Sequence, residues 1–307
     1  MPGYRTPGMD HPHYDWSALP DRPVLRWPNG ARVAVCVVVN VEHYDLEPVA
    51  GSVTPTSMPG GGRGRGPAPD IATYSLREYG NRVGIFRILH VLKKYGVKAT
   101  VALDAATAVR CPAIVRECLA RGYEFAGHGL SATQAITSRM SEAQERAYIS
   151  EALNAVRAAT GKEVTGWLGP EYSESARTPA ILADLGVTHV FDWPNDEQPY
   201  EMNIPTGRLI ALPTLLELDD VYAHWHRRVA IARWEQMVKD AFDRLAMDGQ
   251  SSGRLMVLSI HPWLIGQPHR IKSLEGALAH IAQSPDVWMA TGSMITEWFT
   301  RHHAAKS

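Results

Sequence analysis

The chain has 307 residues, 45% of them apolar and 21% charged, with 31 basic and 32 acidic side chains and a net charge of −1. Such a balance gives no electrostatic footprint for nucleic acid or for an anionic membrane surface, so both are excluded as partners. No run approaches 18 apolar residues, which excludes a transmembrane helix, and the length suits one large α/β domain or two small ones.

Residues 1–30 are rich in Pro, His, Asp and Arg and carry no apolar h-region. They read as an irregular arm and not as a secretory signal, so a cytoplasmic location is expected. The aromatics Tyr14, Trp16 and Trp27 suit an arm that packs on the body or on a neighbouring subunit. Three cysteines, Cys36, Cys111 and Cys118, lack both disulfide pairing and zinc-site spacing.

The first strand is predicted over 31–41. Its run VAVCVVVNV is apolar and β-branched without polar alternation, the pattern of a strand buried on both faces. It runs directly into Glu42 and His43. Residues 47–75 are dense in Gly, Pro and Ser, including GGGRGRG, and read as a long loop: a lid, or an insertion without function. No GK[ST] helix start follows it, which excludes a nucleotide P-loop.

A helix is predicted over 79–95, a strand over 97–103, a helix over 112–122 and a strand over 123–129 that ends beside His128. A long helix follows over 141–160, opened by the capping-box pattern SEAQ and stopped by Gly161. Further strands are predicted over 163–169, 187–193, 208–213, 254–262 and 287–291. Helices lie between or after them over 178–185, 231–247, 271–283 and 294–302. Seven or eight such units predict a parallel sheet closed into a distorted (β/α)7-8 barrel, one domain over 31–303.

Each strand carries polar residues where the barrel mouth should be. The first gives Glu42 and His43, the third His128, the fourth Trp167 and Glu171, the fifth Asp192 and the seventh His261. A lone histidine is more often structural than catalytic. Several polar residues at the C-terminal ends of separate strands instead converge on one pocket.

In order and placement, NVEHY (40–44), GHGLSA (127–132), GWLGPEY (166–172), FDW (191–193) and LSIHP (258–262) resemble the motifs of the polysaccharide deacetylase (NodB-homology) superfamily, over about residues 30–300. The resemblance implies a barrel hydrolase with a base at Glu42 and metal ligands at His43 and His128. It also exposes departures. A second metal-binding His would fall on Ala132, and the expected Arg-bearing loop reads GPEYSES (169–175). With the late stretch HPWLIGQPHR (261–270) and DWPNDEQPY (192–200), these departures resemble the allantoinase-type branch. That branch implies an intracellular homo-oligomer hydrolysing a C–N bond in a small cyclic amide, imide or ureide, some members without metal.

The expected mechanism has Glu42 deprotonating water, its pKa raised by burial, His261 protonating the leaving nitrogen, and Asp192 holding the His261 imidazole. The oxyanion would meet a divalent metal, zinc by preference, on His128 and His43, or backbone N–H groups near Gly169. Trp167, Trp193 and Trp263 would wall a small ring or simply pack the barrel, with Glu171 beside them. No organic cofactor is expected. The competing readings are a carbohydrate deacetylase and a non-catalytic binding protein on a decayed barrel.

Overall fold

The strand β1, Val33–Val41, is buried along its whole length, and its alternate residues serve two different cores. Val33, Val35, Val37, Val39 and Val41 join the layer packed beneath the helices. Ala34, Cys36 and Val38 join a smaller inner cluster with Ala102, Ala126, Leu168, Phe191, Leu212 and Val257. Successive side chains of a strand point to opposite faces, so this division is the period-2 rule applied to a curled sheet. The odd row faces out to the helices and the even row fills the barrel.

The computed structural model describes residues 10–53 and 69–303. Parallel to β1 run β2 (Thr100–Leu103), β3 (Glu124–Gly127), β4 (Gly166–Trp167) and β5 (His189–Val190). The short strand β6 (Tyr200–Glu201) is antiparallel to β7 (Ile210–Ala211), and β7 is parallel to β5. On the other side of β1 lies β8 (Arg254–Ile260), while β9 (Val287–Met289) pairs with its first three residues. The order is β6-β7-β5-β4-β3-β2-β1-β8. A single parallel bridge, Thr214 to Val257, joins the two ends. The sheet is thus a curled half-barrel, closed at the β7–β8 seam by one bridge, and the predicted α/β barrel architecture is observed.

The helices are α1 (Ile71–Tyr79), α2 (Ile85–Lys94), α3 (Ala105–Arg110), α4 (Pro112–Leu119), α5 (Glu142–Thr160), α6 (Thr178–Asp184), α7 (Ile231–Asp248), α8 (Ile271–Ala282) and α9 (Gly292–His302). The capping box at Ser141 forms in both directions, and Gly161 closes α5 at φ 64°, the left-handed conformation glycine adopts without strain.

Four expectations are corrected. The helix predicted over 79–95 begins eight residues earlier, because Asp70 accepts from Thr73 N and caps α1. The loop predicted over 47–75 therefore ends by residue 70; its GGGRGRG run lies outside the described residues. A short helix, α3, follows β2 directly, capped by Asp104. Several strands are shorter than predicted, because pairing in β4, β5 and β7 spans only two residues each.

A π-helical turn, Gly80–Gly84, joins α1 to α2. Its glycines let the chain approach the segment after β8: a Cβ on Gly84 would stand 2.0 Å from the Pro262 carbonyl oxygen. The described part of the arm lies on the body. Tyr14 meets Trp193 and Tyr200 at ring separations of 5.7 and 4.9 Å, and Trp27 donates to the Arg254 carbonyl at 2.7 Å.

Candidate active site

The inner row of β1 does not stop at Val38. Continuing the alternation places Asn40 and Glu42 on the barrel side, while His43 falls on the outer side. The same rule puts Ser259 and His261 inside at the end of β8, and His128 inside at the end of β3. These residues do meet: Glu42, His128 and His261 line one cavity of about 250 Å3, together with Gly169, Glu171 and Tyr172. Asn40 donates to Ser259 Oγ at 2.7 Å and ties the two strands below it.

Glu42 is held from two sides. Arg77 Nη1 lies 3.1 Å from its Oε2, and His128 Nε2 lies 3.2 Å from its Oε1. Burial alone would raise the carboxyl. The hydrogen bond from His128 and the charges of His261 and Arg77 outweigh it and bring Glu42 down to about 2. The expected upward shift is therefore reversed: Glu42 is a weakly basic carboxylate, ionised at neutral pH. His128 also donates through Nδ1 to the Leu168 carbonyl at 2.6 Å. With an acceptor at each ring nitrogen the imidazole carries both protons. Burial opposes its charge, but the Glu42 carboxylate prevails and its pKa is raised.

His261 sits opposite. Its Nδ1 donates to Asp220 Oδ1 at 2.7 Å, and its backbone N–H reaches the same carboxylate at 3.1 Å. Asp219 Oδ2 is 3.9 Å away and accepts from the Tyr172 hydroxyl at 2.9 Å. Burial disfavours the imidazolium, but the carboxylates of Asp219 and Asp220 dominate and lift His261 to about 10. At neutral pH it is a loaded proton donor.

Several predicted roles move. Asp192 does not hold His261. It accepts from Gly169 N at 2.8 Å, and burial raises its pKa beside Glu174, whose own is raised further. The partner of His261 is Asp220, on the segment after β7. Trp167 is on the outer row, fully buried against Gly127, and walls no cavity. Trp193 packs against the arm. Trp263 lies under the Arg77 guanidinium, 4.1 Å from it. Only Glu171 of the four predicted substrate contacts lines the cavity; Tyr172, Leu216, Val221, Tyr222 and His226 are among its other walls. Glu171 and Tyr172 both take left-handed backbone, at φ 55° and 58°, at roughly 1–3 kcal/mol each, and such strain collects at functional loops.

Residues missed in the sequence are Arg77, Asp219 and Asp220. Arg77 had one available signal: it stands at i, i+3, i+4 and i+7 with Gly80, Asn81 and Gly84, one helical face that carries no large apolar side chain.

The superfamily's metal positions do not fit an ion here. His128 has no bare nitrogen, His43 turns its Nε2 to Asp45 at 3.5 Å, and Ala132 offers no donor. Among the described residues one other group has ligand atoms within 4.8 Å of one another, Asp219, Asp220 and His261. Its atoms are already engaged: Asp219 by Tyr222 N and the Tyr172 hydroxyl, Asp220 by His261 itself. An ion there would share these carboxylate oxygens with the donors that already hold them.

Known proteins show the same architecture. The polysaccharide deacetylase family profile matches residues 77–190. A Schizosaccharomyces pombe protein provisionally named a polysaccharide deacetylase is 26% identical over 92% of this chain and 94% of its own. The crystal structure of a "probable polysaccharide deacetylase" from Pseudomonas aeruginosa PAO1 is similar at TM-score 0.82 and 27% identity, covering 93% of this chain and 97% of that one. That of the Puue allantoinase is similar at TM-score 0.80 and 25% identity, covering 92% and 95%. A buried carboxylate facing a charged imidazole across a barrel mouth, on this fold, defines a hydrolase of carbon–nitrogen bonds other than peptide bonds. The family match over residues 77–190 and the shared barrel of these relatives support the polysaccharide deacetylase (NodB-homology) superfamily for this chain.

Proposed function

We propose that the protein hydrolyses a C–N bond in a small, uncharged cyclic amide, imide or ureide. The observation that carries this reading is the pair of opposed hydrogen-bonded units, Arg77–Glu42–His128 and Asp220–His261, on the walls of a cavity of only about 250 Å3. Among the described residues that line the cavity, His128 and His261 already have carboxylate partners, and His226 is the remaining basic side chain.

In the reaction, water attacks the ring carbonyl and passes a proton to Glu42. His261 gives its Nε2 proton to the departing nitrogen. The C–O bond forms, the C–N bond breaks, and the proton on Glu42 returns to His261 through solvent. A weakly basic Glu42 makes proton donation from His261 the larger contribution. The oxyanion is stabilised by the nearby charge of the His128 imidazolium, whose own N–H groups stay with Glu42 and Leu168.

The same acid–base pair would serve removal of an acetyl group from an amino sugar, and the names of the Pseudomonas and Schizosaccharomyces relatives favour that second reading. The test is a substrate panel: cyclic imides, hydantoins, dihydropyrimidines and allantoin beside acetylated chito-oligomers. Ring opening is expected, with Glu42→Gln reducing it by at least ~10²-fold in a folded protein. Acetate release from the oligomers with no ring opened would move the protein to the second reading.

A further inference from the structure

The guanidinium of Arg77 is buried at 4% exposure, yet it comes from neither β1 nor any strand end. It stands on α1 and meets Glu42 Oε2 at 3.1 Å with its face 4.1 Å from the Trp263 ring. Four residues on, Asn81 donates to the Glu42 carbonyl at 2.7 Å. Between and beyond them Gly80 and Gly84 press on the backbone of 262–263; a Cβ on Gly80 would stand 2.6 Å from Trp263 N. One helical face therefore grips the carboxylate and the backbone of Glu42 while it rests on the residues that directly follow His261.

We propose that Arg77 is a positioning residue that fixes the orientation of the Glu42 carboxylate, with Trp263 as its platform, so that base and acid are held in register by one helix face. The inference rests on the reading of Glu42 as the proton acceptor. A planar guanidinium stacked on an indole offers its N–H groups in one fixed plane, whereas an ammonium is a point charge that can approach from many directions. The geometry is thus expected to matter apart from the charge.

The experiment compares wild type, Arg77→Met and Arg77→Lys by the pH dependence of kcat and kcat/KM for ring opening, with the Glu42 carboxyl titrated directly by 13C NMR. Arg77→Met should raise the Glu42 midpoint by about one pH unit or more and lower kcat by about 10²-fold. Arg77→Lys should return the midpoint near that of wild type while kcat stays at least ~10-fold low, with KM little changed. Full recovery of kcat by lysine would reduce Arg77 to a counter-ion and overturn the proposal, as would an unmoved Glu42 midpoint in Arg77→Met. If Arg77→Met does not fold, Trp263→Leu removes the platform alone. It should lower kcat without moving the midpoint, and unchanged kcat would again overturn the proposal. Wild type that opens no ring would defeat the functional reading instead, and the NMR titration would still report on the Arg77–Glu42 pair.

Discussion

At the scale of single residues, chemistry turns on which partner each titratable group has, more than on how deeply it is buried. Glu42 and His261 are both buried, yet burial decides neither: His128, His261 and Arg77 draw the carboxyl down to about 2, and Asp219 and Asp220 lift the imidazole to about 10. Activity should therefore form a broad plateau across neutral pH, with Glu42 ionised and His261 charged throughout. It should fall on the alkaline side as His261 loses its proton. Asp220→Asn removes the nearer carboxylate, so the imidazolium loses its main support and its pKa drops. The alkaline limb of kcat/KM should move down by about one unit or more, with a rate loss of roughly 10²-fold at pH 8. An alkaline limb that stays in place in Asp220→Asn would show that His261 is not the acid.

At the scale of elements, the strands were legible and the connections were not. The run 33–41 announces a doubly buried strand, and its period-2 alternation already separates Glu42 from His43 and Trp167 from Leu168. Carried past the strand ends, that alternation would have excluded His43 as a ligand and Trp167 as a wall. Asp220 and Arg77 could not be found this way. Asp220 follows β7 after eight residues that include a bridge and a short 3-10 turn, and Arg77 reaches the site across 35 positions of sequence from Glu42. Their placement is decided by packing of the connecting segments, to which local periodicity is blind. The π-helical turn is one such packing device. Gly84→Ala puts a methyl on the Pro262 carbonyl, and overpacking of this kind costs about 1–3 kcal/mol. The urea midpoint should fall correspondingly and kcat should fall with it, since Arg77 moves when its helix moves. A variant with wild-type midpoint and kcat would mean the close contact is idle.

At the scale of the whole molecule, the barrel carries ionic systems at both of its ends. The mouth holds Glu42 and His261. The other end holds Glu124, at the start of β3, which lies 3.4 Å from His189 Nε2 and accepts from Ser293 N at 3.0 Å. Burial would raise Glu124, but the His189 imidazole and Ser293 hydroxyl bring it down to about 2. A folded-state pKa below the unfolded one stabilises the fold above the unfolded value and is lost as pH falls through the folded value. The protein should therefore lose stability between about pH 4.5 and 2, from Glu124 and Glu42 together. Glu124→Gln should lower the urea midpoint at pH 7 and flatten its decline below pH 5 without changing kcat. An unchanged slope would place the acid sensitivity elsewhere.

The most direct measurement of the central claim, that these side chains and not an ion at His128 and His43 run the hydrolysis, is ring opening before and after chelation. The protein would be purified without a His tag and its bound metal quantified in the same samples. Protein stripped of divalent metal is predicted to keep its ring-opening rate within about twofold, because both nitrogens of His128 are already bonded and Glu42 and His261 supply base and acid. Loss of that rate on stripping, restored by added zinc, would contradict it.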